Sequence, residues 1–334
     1  MDISFPSHGG NLGEAARRFG IAPNAWLDLS TGVNPLAYPV PDIDAALWRR
    51  LPEHELIADL EQAALKAYGA GAGAAALASA GSAALIHLLP FMAGGRRVHI
   101  AGPTFAEHQA AWTHAGHEVH MVRGLDDAGA DVMVVVNPNN PGAERYRPDE
   151  LNELAGALHR RGGLLVVDEA FADPHPELSV AAAAGMPGLV VLRSFGKFFG
   201  LSGLRLGFAL AAPEMIAALR ALAGPWPVSG PAARIGAAAL GDRAWIEASR
   251  ARLGGDAIRM RQLVEQAGLT VAGSCALFTL LELPDAGALH LALARQGVWS
   301  RIFPDQPRLL RLGMPGREAD WQRLKAALGA AVSR

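Results

Sequence analysis

Cysteine is almost absent from this chain of 334 residues, which has a single one at Cys275. One cysteine excludes a framework of intrachain disulfides and suits a reducing compartment. Long apolar runs are missing as well, since no stretch reaches the roughly 18 residues expected of a membrane span. The first residues also lack the basic and then apolar pattern of a signal peptide. These absences predict a cytoplasmic protein with no place in a membrane.

Strong net charge is missing too. The chain has 32 acidic and 30 basic residues, a net charge of −2. Such a balance offers no extended field for nucleic acid or an anionic membrane, and neither is predicted as a partner. A length of 334 residues with 51% hydrophobic residues allows a large core and two domains.

What the chain does have is a set of short apolar runs that end in polar residues. Three of these runs predict strands buried on both faces, as in a parallel sheet: Val132–Val136, Leu164–Val167 and Leu189–Leu192. The polar residues that follow them are Asn140, Asp168, and Ser194 with Lys197. Ligands of open α/β sheets bind at the carboxyl ends of the strands. We therefore expect these side chains to meet in one crevice.

A lysine, an aspartate and an asparagine in one crevice suit pyridoxal phosphate. This cofactor needs an amine to bond to, an acidic partner for its ring nitrogen and a hydrogen bond to its phenolic oxygen. Lys197 lies among glycines and phenylalanines, and apolar surroundings favour the nucleophilic free amine. The alternative is a surface lysine on a glycine-rich loop, which spacing alone does not exclude.

Four motifs in order resemble the fold-type-I pyridoxal-phosphate enzymes of the class I/II aminotransferase group. They are Asn-Pro-Asn-Asn-Pro (137–141), Asp-Glu-Ala-Phe (168–171), Ser-Phe-Gly-Lys (194–197) and Gly-Leu-Arg-Leu-Gly (203–207). The resemblance covers nearly the whole chain. It implies an α/β fold, with a large domain of mostly parallel sheet flanked by helices and a smaller α+β domain. It also implies a homodimer, with Lys197 and Asp168 as catalytic residues and no metal.

The resemblance assigns further residues to the cofactor. Gly81, Ser82 and Ala83 open an apolar helix predicted over Ala84–Met92, where backbone amides favour an anion. The family holds the cofactor phosphate at this turn, together with Ser194 and Arg205. A plain serine N-cap is the other interpretation, and the two are compatible. Phe105 is the ring expected to stack on the pyridine, with His108 as the competing ring. Asn140 is expected at the phenolic oxygen.

Substrate contacts are implied by the ends of the chain. His-Gly-Gly-Asn (8–11) and Leu-Ser-Thr-Gly-Val-Asn-Pro (29–35) resemble the cobalamin-pathway branch that decarboxylates L-threonine O-3-phosphate. In that branch His8, Gly32 and Asn34 are implied near the substrate, as is Asn140. Leu310-Arg311-Leu312-Gly313 resembles the segment that binds the substrate carboxylate, and Arg301 is placed for a phosphate. Each could instead be a surface arginine, as we expect for Arg308.

Two departures from the family involve lost tyrosines. Phe171 stands where many aminotransferases have a tyrosine that hydrogen-bonds the phenolic oxygen, so Asn140 would contact that oxygen alone. Leu51-Pro52 stands where relatives often have Tyr-Pro, whose tyrosine reaches the phosphate in the partner subunit. That contact is therefore absent here or comes from another residue.

Proline spacing suggests the domain division. Pro225, Pro227 and Pro231 mark a boundary after a helix predicted to end at Leu222. We predict an N-terminal arm joining the small domain at 1–30, a large cofactor-binding domain at 31–222 and a small domain at 223–334.

The predicted substrate is a phosphorylated amino acid, and the predicted reaction is decarboxylation of L-threonine O-3-phosphate. The same site residues serve an aminotransferase of the histidinol-phosphate kind, which remains the alternative. A non-enzymatic pyridoxal-phosphate sensor would need a fused DNA-binding domain, for which the chain has neither the length nor a basic face. A nicotinamide dehydrogenase is disfavoured because Gly69-Ala70-Gly71-Ala72-Gly73 follows a helix and lacks the final glycine of the dinucleotide fingerprint.

Overall fold

A computed structural model describes residues 9–93 and 96–332. The helices are α1 (Leu12–Phe19), α2 (Ala45–Arg49), α3 (His54–Ala67), α4 (Ser82–Leu88), α5 (Ala106–His114), α6 (Pro148–Arg160), α7 (Phe195–Phe198), α8 (Pro213–Ala223), α9 (Gly230–Gly241), α10 (Arg243–Gln266), α11 (Ala286–Ala294) and α12 (Glu318–Val332). The strands are β1 (Leu27–Asp28), β2 (Ala75–Ser79), β3 (Arg97–Ala101), β4 (Glu118–Val122), β5 (Val132–Val136), β6 (Leu164–Asp168), β7 (Leu189–Ser194), β8 (Gly207–Ala211), β9 (Thr270–Cys275), β10 (Phe278–Glu282), β11 (Val298–Trp299), β12 (Arg301–Phe303) and β13 (Gln306–Gly313). Among these helices, none has the length and apolar character needed to cross a membrane.

The larger unit comprises residues 37–140 and 144–250 and is built on a seven-stranded sheet. Its strand order is β2-β8-β7-β6-β5-β3-β4, and only β8 runs antiparallel to its neighbours. Every residue of β5 and β6 is buried, which explains their unbroken valine and leucine runs. Burial of each such side chain contributes about 1.5–3 kcal/mol. The mostly parallel α/β architecture predicted from these runs is confirmed.

Because of the strand directions, several of the turns that connect the strands lie at one edge of this sheet. β3, β5, β6 and β7 are parallel, so their carboxyl ends share that edge. β8 is antiparallel and begins there, with Gly207 paired to both Ser194 and Ser79. Ser79 is the last residue of β2, so the turn before α4 starts at the same edge.

The smaller unit comprises residues 1–36, 141–143 and 251–334. It contains an antiparallel sheet in the order β12-β13-β10-β9 and a parallel pair, β1 with β11. Leucines of β10 and β13 pack with Trp321 and Leu324 of α12 in one apolar core. A second cluster joins Trp26 to Trp299 and holds α1 through Ala15. This mixture of helices and antiparallel strands matches the predicted α+β character.

The compact units have other bounds than the predicted domains. The division falls at residues 250 and 251, inside α10, whereas the prolines suggested 222 and 223. The reason is that α9, which follows Pro225 and Pro227 and has Pro231 in its first turn, packs against α3 of the larger unit. Gly230 approaches the Leu47 carbonyl oxygen so closely that an added Cβ would lie 2.9 Å away. The arm also extends to Leu36 rather than ending at Ser30.

Candidate active site

Asp168 lies at the carboxyl end of β6 and is held by two hydrogen bonds. Its Oδ2 is 2.9 Å from Nε2 of His108, and its Oδ1 accepts from the Ala170 amide at 3.0 Å. The Asp168 and His108 side chains are both almost fully buried. These bonds use two of the roughly four acceptor positions of a carboxylate. Asp168 can therefore also accept a hydrogen bond from a protonated pyridine nitrogen.

The sequence does not reveal that His108 contacts Asp168; it suggests His108 only as the competing ring for stacking on the cofactor. In the structure the His108 ring binds Asp168. The predicted stacking ring, Phe105, is half-buried and lies edge-on to His108 at 6.3 Å between centroids. The spacing was a usable signal, because residues three apart at the start of a helix lie on one side of it.

Lys197 is in α7, which directly follows β7. Its Nζ lies 5.7 Å from the centre of the Phe171 ring, and Phe171 is buried. β7 pairs with β6 so that Leu192 is opposite Asp168. The lysine and the aspartate thus follow neighbouring strands at one edge, as the apolar runs predicted. Phe171 faces the lysine with a ring that has no hydroxyl group.

Asn140 follows β5, the next strand in the sheet, and its backbone is fixed by Asn139. The Asn139 Oδ1 accepts from the Asn140 amide at 2.8 Å and from the Thr104 hydroxyl at 2.6 Å. The Asn139 Nδ2 donates to the Pro103 carbonyl at 2.9 Å and to Glu144 at 2.7 Å. Asn139 therefore joins the turn that carries Asn140 to the turn that precedes Phe105.

The turn before α4 brings Gly81 and Arg205 together. Gly81 has φ +84°, and a Cβ added to it would lie 2.8 Å from Nη2 of Arg205. Gly207 packs against the Gly81–Ser82 peptide so tightly that a side chain there would collide with it. Gly81 is the N-cap and Ser82 the first helical residue, with no side-chain cap, so the serine N-cap interpretation is wrong. The predicted helix was 84–92; α4 ends at Leu88, and a 3-10 turn continues to Met92.

This turn fits a phosphate group. Backbone amides of residues 81–83 open a helix, whose N-terminal end favours an anion. The exposed Arg205 guanidinium lies beside them and can bind phosphate oxygens through two N–H groups. Gly207, which follows Arg205 by two residues, is paired with Ser194, so the serine hydroxyl belongs to the same sheet edge.

In the smaller unit, Arg301 and Arg311 are directly opposite each other on β12 and β13. Arg311 is buried and Arg301 half-buried. Burial and the neighbouring charge of Arg301 lower the pKa of Arg311 to about 10, and burial lowers the pKa of Arg301. Two adjacent cations, one buried and one half-buried, suit a ligand with negative charge. Arg308, by contrast, is exposed and 3.2 Å from Glu282.

The loop of residues 29–34 lies against this arginine pair. Nη2 of Arg311 donates to the Ser30 carbonyl at 3.1 Å. Asn34 is buried, and its Oδ1 accepts from Arg252 at 2.6 Å, a contact that the sequence did not predict. Gly32 is also buried. The structure therefore places Gly32 and Asn34 in the unit that holds both arginines.

The opening His-Gly-Gly-Asn is described only from Gly9 onward, so His8 lies outside the described residues. Gly10 donates its amide to the Ser30 hydroxyl at 2.7 Å, and Trp299 donates its indole N–H to the Gly10 carbonyl at 3.1 Å. The Gly9 backbone is packed so closely on Ser30 that a side chain would collide with the Ser30 carbonyl. The two glycines therefore allow the arm to lie on the loop that contacts Arg311.

Fold and site together define a fold-type-I pyridoxal-phosphate enzyme. The family model "Aminotransferase class I and II" matches residues 40–328, and the chain belongs to this family. The predicted resemblance is thereby confirmed, as is the cofactor class.

Individual relatives show which members of this family the chain is similar to. The chain is 47% identical over 328 residues to threonine-phosphate decarboxylase from Pseudomonas aeruginosa, covering 96% of both chains. It is 42% identical to threonine-phosphate decarboxylase from Sinorhizobium, covering 96% of this chain and 97% of that one. L-threonine-O-3-phosphate decarboxylase from Porphyromonas gingivalis has the same fold, with a TM-score of 0.77 at 22% identity, covering 92% and 99% of the two chains.

Proposed function

We propose that this protein decarboxylates L-threonine O-3-phosphate with pyridoxal phosphate as cofactor, producing CO2 and aminopropanol phosphate for cobalamin assembly. The observation that carries the proposal is the identity of 47% and 42%, over nearly the whole length, to two enzymes named for this reaction. Each unit agrees in kind: the larger unit has a lysine and a buried aspartate after neighbouring strands, and the smaller unit has two adjacent arginines.

On the cofactor side, each residue has a distinct task in this proposal. When bound, the cofactor supplies a ring that accepts the electron pair released at the substrate Cα. Lys197 bonds to it through Nζ, and Asp168 holds the proton on its ring nitrogen. The turn of Gly81, Ser82 and Ala83 holds the phosphate. Ser194 and Arg205 are proposed to add hydrogen bonds to the same phosphate.

Phe105 is proposed to cover one face of the ring, and Asn140 to hydrogen-bond its phenolic oxygen. Phe171 cannot share that bond, because it has no hydroxyl group. Asn140, whose backbone Asn139 fixes, then sets the position of that oxygen alone.

On the substrate side, Arg311 is proposed to bind the carboxylate and Arg301 the phosphate, with Gly32, Asn34, Asn140 and His8 nearby. The reaction breaks the bond between Cα and the carboxylate carbon, and CO2 leaves without the bonding electron pair. One proton must then be added at Cα, and Lys197 Nζ is the group proposed to deliver it. The product keeps the amine and the phosphate, so atoms and charge balance.

Two further properties are proposed. The protein is proposed to be a homodimer, as its resemblance to the family implies, and the larger unit exposes the apolar side chains Trp48, Leu51 and Trp226. Large exposed apolar side chains near one another mark surfaces that another chain covers. It works in the cytoplasm, where a single free cysteine, buried at Cys275, is stable in the reduced form.

The test is CO2 release from L-threonine O-phosphate by the purified holoenzyme without a 2-oxo acid. Sustained release that is lost in Lys197→Ala and kept in Lys325→Ala, an exposed lysine, supports the proposal. Absence of CO2 combined with amino transfer from histidinol phosphate to 2-oxoglutarate would replace it with the aminotransferase alternative. That alternative is represented by histidinol-phosphate aminotransferase 3 from Mesorhizobium japonicum, 28% identical over 328 residues.

A further inference from the structure

The helix that carries Lys197 is too short to hold itself in place. α7 has four residues, and the Phe199 amide donates a backbone hydrogen bond to the Phe195 carbonyl at 3.3 Å. A helix of one turn has little stability of its own, because nucleation costs more than one hydrogen bond returns. The direction of the Lys197 side chain therefore depends on what packs against its neighbours.

Those neighbours form a stack of aromatic rings. Phe195 and Phe199 are fully buried and stacked at 4.3 Å between centroids with 11° between planes. The indole of Trp245 continues the stack on Phe199 at 5.4 Å and 13°. Phe198 meets Trp245 edge-on at 5.5 Å. Trp245 thus touches Phe198 and Phe199, the two residues that follow Lys197, and Phe199 in turn stacks on Phe195.

A second aromatic residue, Tyr38, packs against the stacked rings. Tyr38 lies edge-on to Trp245 at 5.3 Å and to Phe199 at 6.3 Å. Its backbone amide donates to the Phe199 carbonyl at 2.9 Å. Burial and a hydrogen bond to Asp242 raise the pKa of the Tyr38 hydroxyl. Asp242 in turn accepts from the Trp245 amide at 3.0 Å at the start of α10.

Geometry explains why these contacts matter to Lys197 rather than only to the fold. Edge-on and offset aromatic pairs are directional, so they favour one arrangement of the rings. α7 is also packed closely at Gly196, where an added Cβ would lie 2.7 Å from the Ser202 Cα. The helix is thus in contact with both the Ser202 turn and the Trp245 ring.

We infer that Trp245, supported by Tyr38, is a positioning residue that sets the orientation and reactivity of the Lys197 amine. The inference rests on the proposed function insofar as that amine is the reacting group. Trp245 acts through Phe198 and Phe199, and Tyr38 acts through Phe199 and Trp245.

The composition of the chain offers a direct readout. Lysine occurs at Lys66, Lys197 and Lys325 only, and the first and last are exposed while Lys197 is half-buried. Competitive acetylation of the cofactor-free protein with acetic anhydride, followed by peptide mass spectrometry, measures the reactivity of Lys197 against two internal references. This readout does not require turnover, so it separates the inference from the proposed decarboxylation.

The variants are Trp245→Leu, which removes the stack, and Trp245→Phe, which keeps a ring. We expect Trp245→Leu to change the relative labelling of Lys197 by about threefold or more. Its kcat should fall by about tenfold with a smaller change in KM, because displacing a reacting group by about 1 Å can cost about a hundredfold. Trp245→Phe should recover most of both. Phe91→Leu, at a side chain that is 65% exposed in the same unit, is the matched control and should match the wild type.

If Trp245→Leu does not fold, Tyr38→Leu removes the edge-on contact and leaves Asp242 at the start of α10. It should shift Lys197 labelling in the same direction. Unchanged Lys197 labelling in whichever of these two variants folds would overturn the inference. So would a Trp245→Leu protein that only melts at a lower temperature, with labelling and kcat like those of Phe91→Leu. If the labelling of Lys197 is altered in the variants but the wild type releases no CO2, the positioning role of Trp245 is supported and only the proposed decarboxylation is rejected.

Discussion

Arg311 and Arg308 lie three residues apart on β13, yet their surroundings differ in ways that matter for binding. Arg311 is buried, donates to the Ser30 carbonyl and lies over the Phe278 ring at 4.9 Å. Arg308 is exposed and reaches Glu282 across the strands. Exposed ion pairs of this kind contribute about 0–1 kcal/mol. Burial, and not residue type, separates the proposed binding residue Arg311 from the surface residue Arg308.

Arg311→Met should raise the KM for the phosphorylated substrate by about tenfold or more, because a charge-assisted hydrogen bond is worth about 1.5–3 kcal/mol. Steady-state CO2 release measures it, with Arg308→Met as the control that keeps the wild-type KM. The pKa of Arg311 is about 10, so its positive charge is present at neutral pH. Affinity should fall as the pH rises through 10. Equal KM values in the two variants would remove Arg311 from the site.

His108 determines how Asp168 is presented. His108→Leu leaves Oδ2 of Asp168 buried without its 2.9 Å partner, which lets the carboxylate turn away from the ring nitrogen. We expect the affinity for pyridoxal phosphate to drop by about tenfold, the equivalent of about 1.4 kcal/mol. Equilibrium titration followed by absorbance measures the Kd. His108→Gln, which keeps a donor, should lose less; equal losses in both variants would contradict this role.

At the scale of elements, the start of α4 depends on a glycine in two separate ways. Gly81 has φ +84° and ψ 158°, a backbone region that is essentially restricted to glycine and costs other residues about 1–3 kcal/mol. It also lacks the Cβ that would displace Arg205. Gly81→Ala should therefore lower both stability and cofactor affinity, measured by thermal unfolding and by titration with pyridoxal phosphate.

Gly116 provides the matched control for that change. Its φ is +88°, but no atom lies within 4 Å of an added Cβ. Gly116→Ala should share the loss of stability and keep the wild-type affinity for the cofactor. If the two variants bind pyridoxal phosphate equally well, the turn does not hold the phosphate through Arg205.

Helix α11 contributes a pH-dependent part of stability through His290. Burial and the charge of Arg18 lower its pKa to about 4, and its Nδ1 is 2.9 Å from the Ser300 hydroxyl. In the unfolded chain the His290 imidazole binds a proton near pH 6.5, whereas in the folded chain it does so only near pH 4. This group therefore leaves the free energy of unfolding unchanged above pH 6.5 and lowers it as the pH falls from 6.5 toward 4. The loss approaches about 3 kcal/mol.

Urea unfolding at pH 7 and pH 4.5 tests this dependence. His290→Gln removes the titrating group, and its loss between the two pH values should be smaller than that of the wild type. His114→Gln, at an exposed residue of α5, is the control and should keep the wild-type loss. An equal loss in His290→Gln and the wild type would assign the pH dependence to other groups.

At the scale of the whole molecule, the exposed apolar side chains of the larger unit predict its assembly. Trp48, Leu51 and Trp226 are 69%, 64% and 51% exposed. Pro52, which follows Leu51, lines the same groove as Trp226, so these side chains belong to one surface. Sedimentation equilibrium should give a mass of two chains.

Leu51→Glu places a charge on that surface and should shift the mass toward one chain, because an interface core excludes unpaired charge. Ile258→Glu is the control, since Ile258 is 62% exposed on another part of the chain, and it should remain a dimer. A monomeric wild type, or a Leu51→Glu protein that stays dimeric, would argue against this surface.

Local sequence alone predicted the elements that need no distant partner. The five-residue apolar run of β5 is buried on both faces, and the run predicted as a strand at Leu189–Leu192 lies in β7 (Leu189–Ser194). Periodicity and caps are short-range properties, so they can be read along the chain. The motifs around Asp168 and Lys197 can be recognised from the sequence for the same reason, since each motif follows a strand that is defined by its own apolar residues.

Tertiary structure alone decided which side chains meet. His108 binds Asp168 across 60 residues, Arg252 binds Asn34 across 218, and Trp245 stacks on Phe199. It also placed the division of the chain inside α10 rather than at the prolines. The physical reason is that packing selects partners by shape and burial from the whole folded chain. No periodicity in the sequence records that selection, whereas the identity of strands, helices and reactive groups was already determined by the residues themselves.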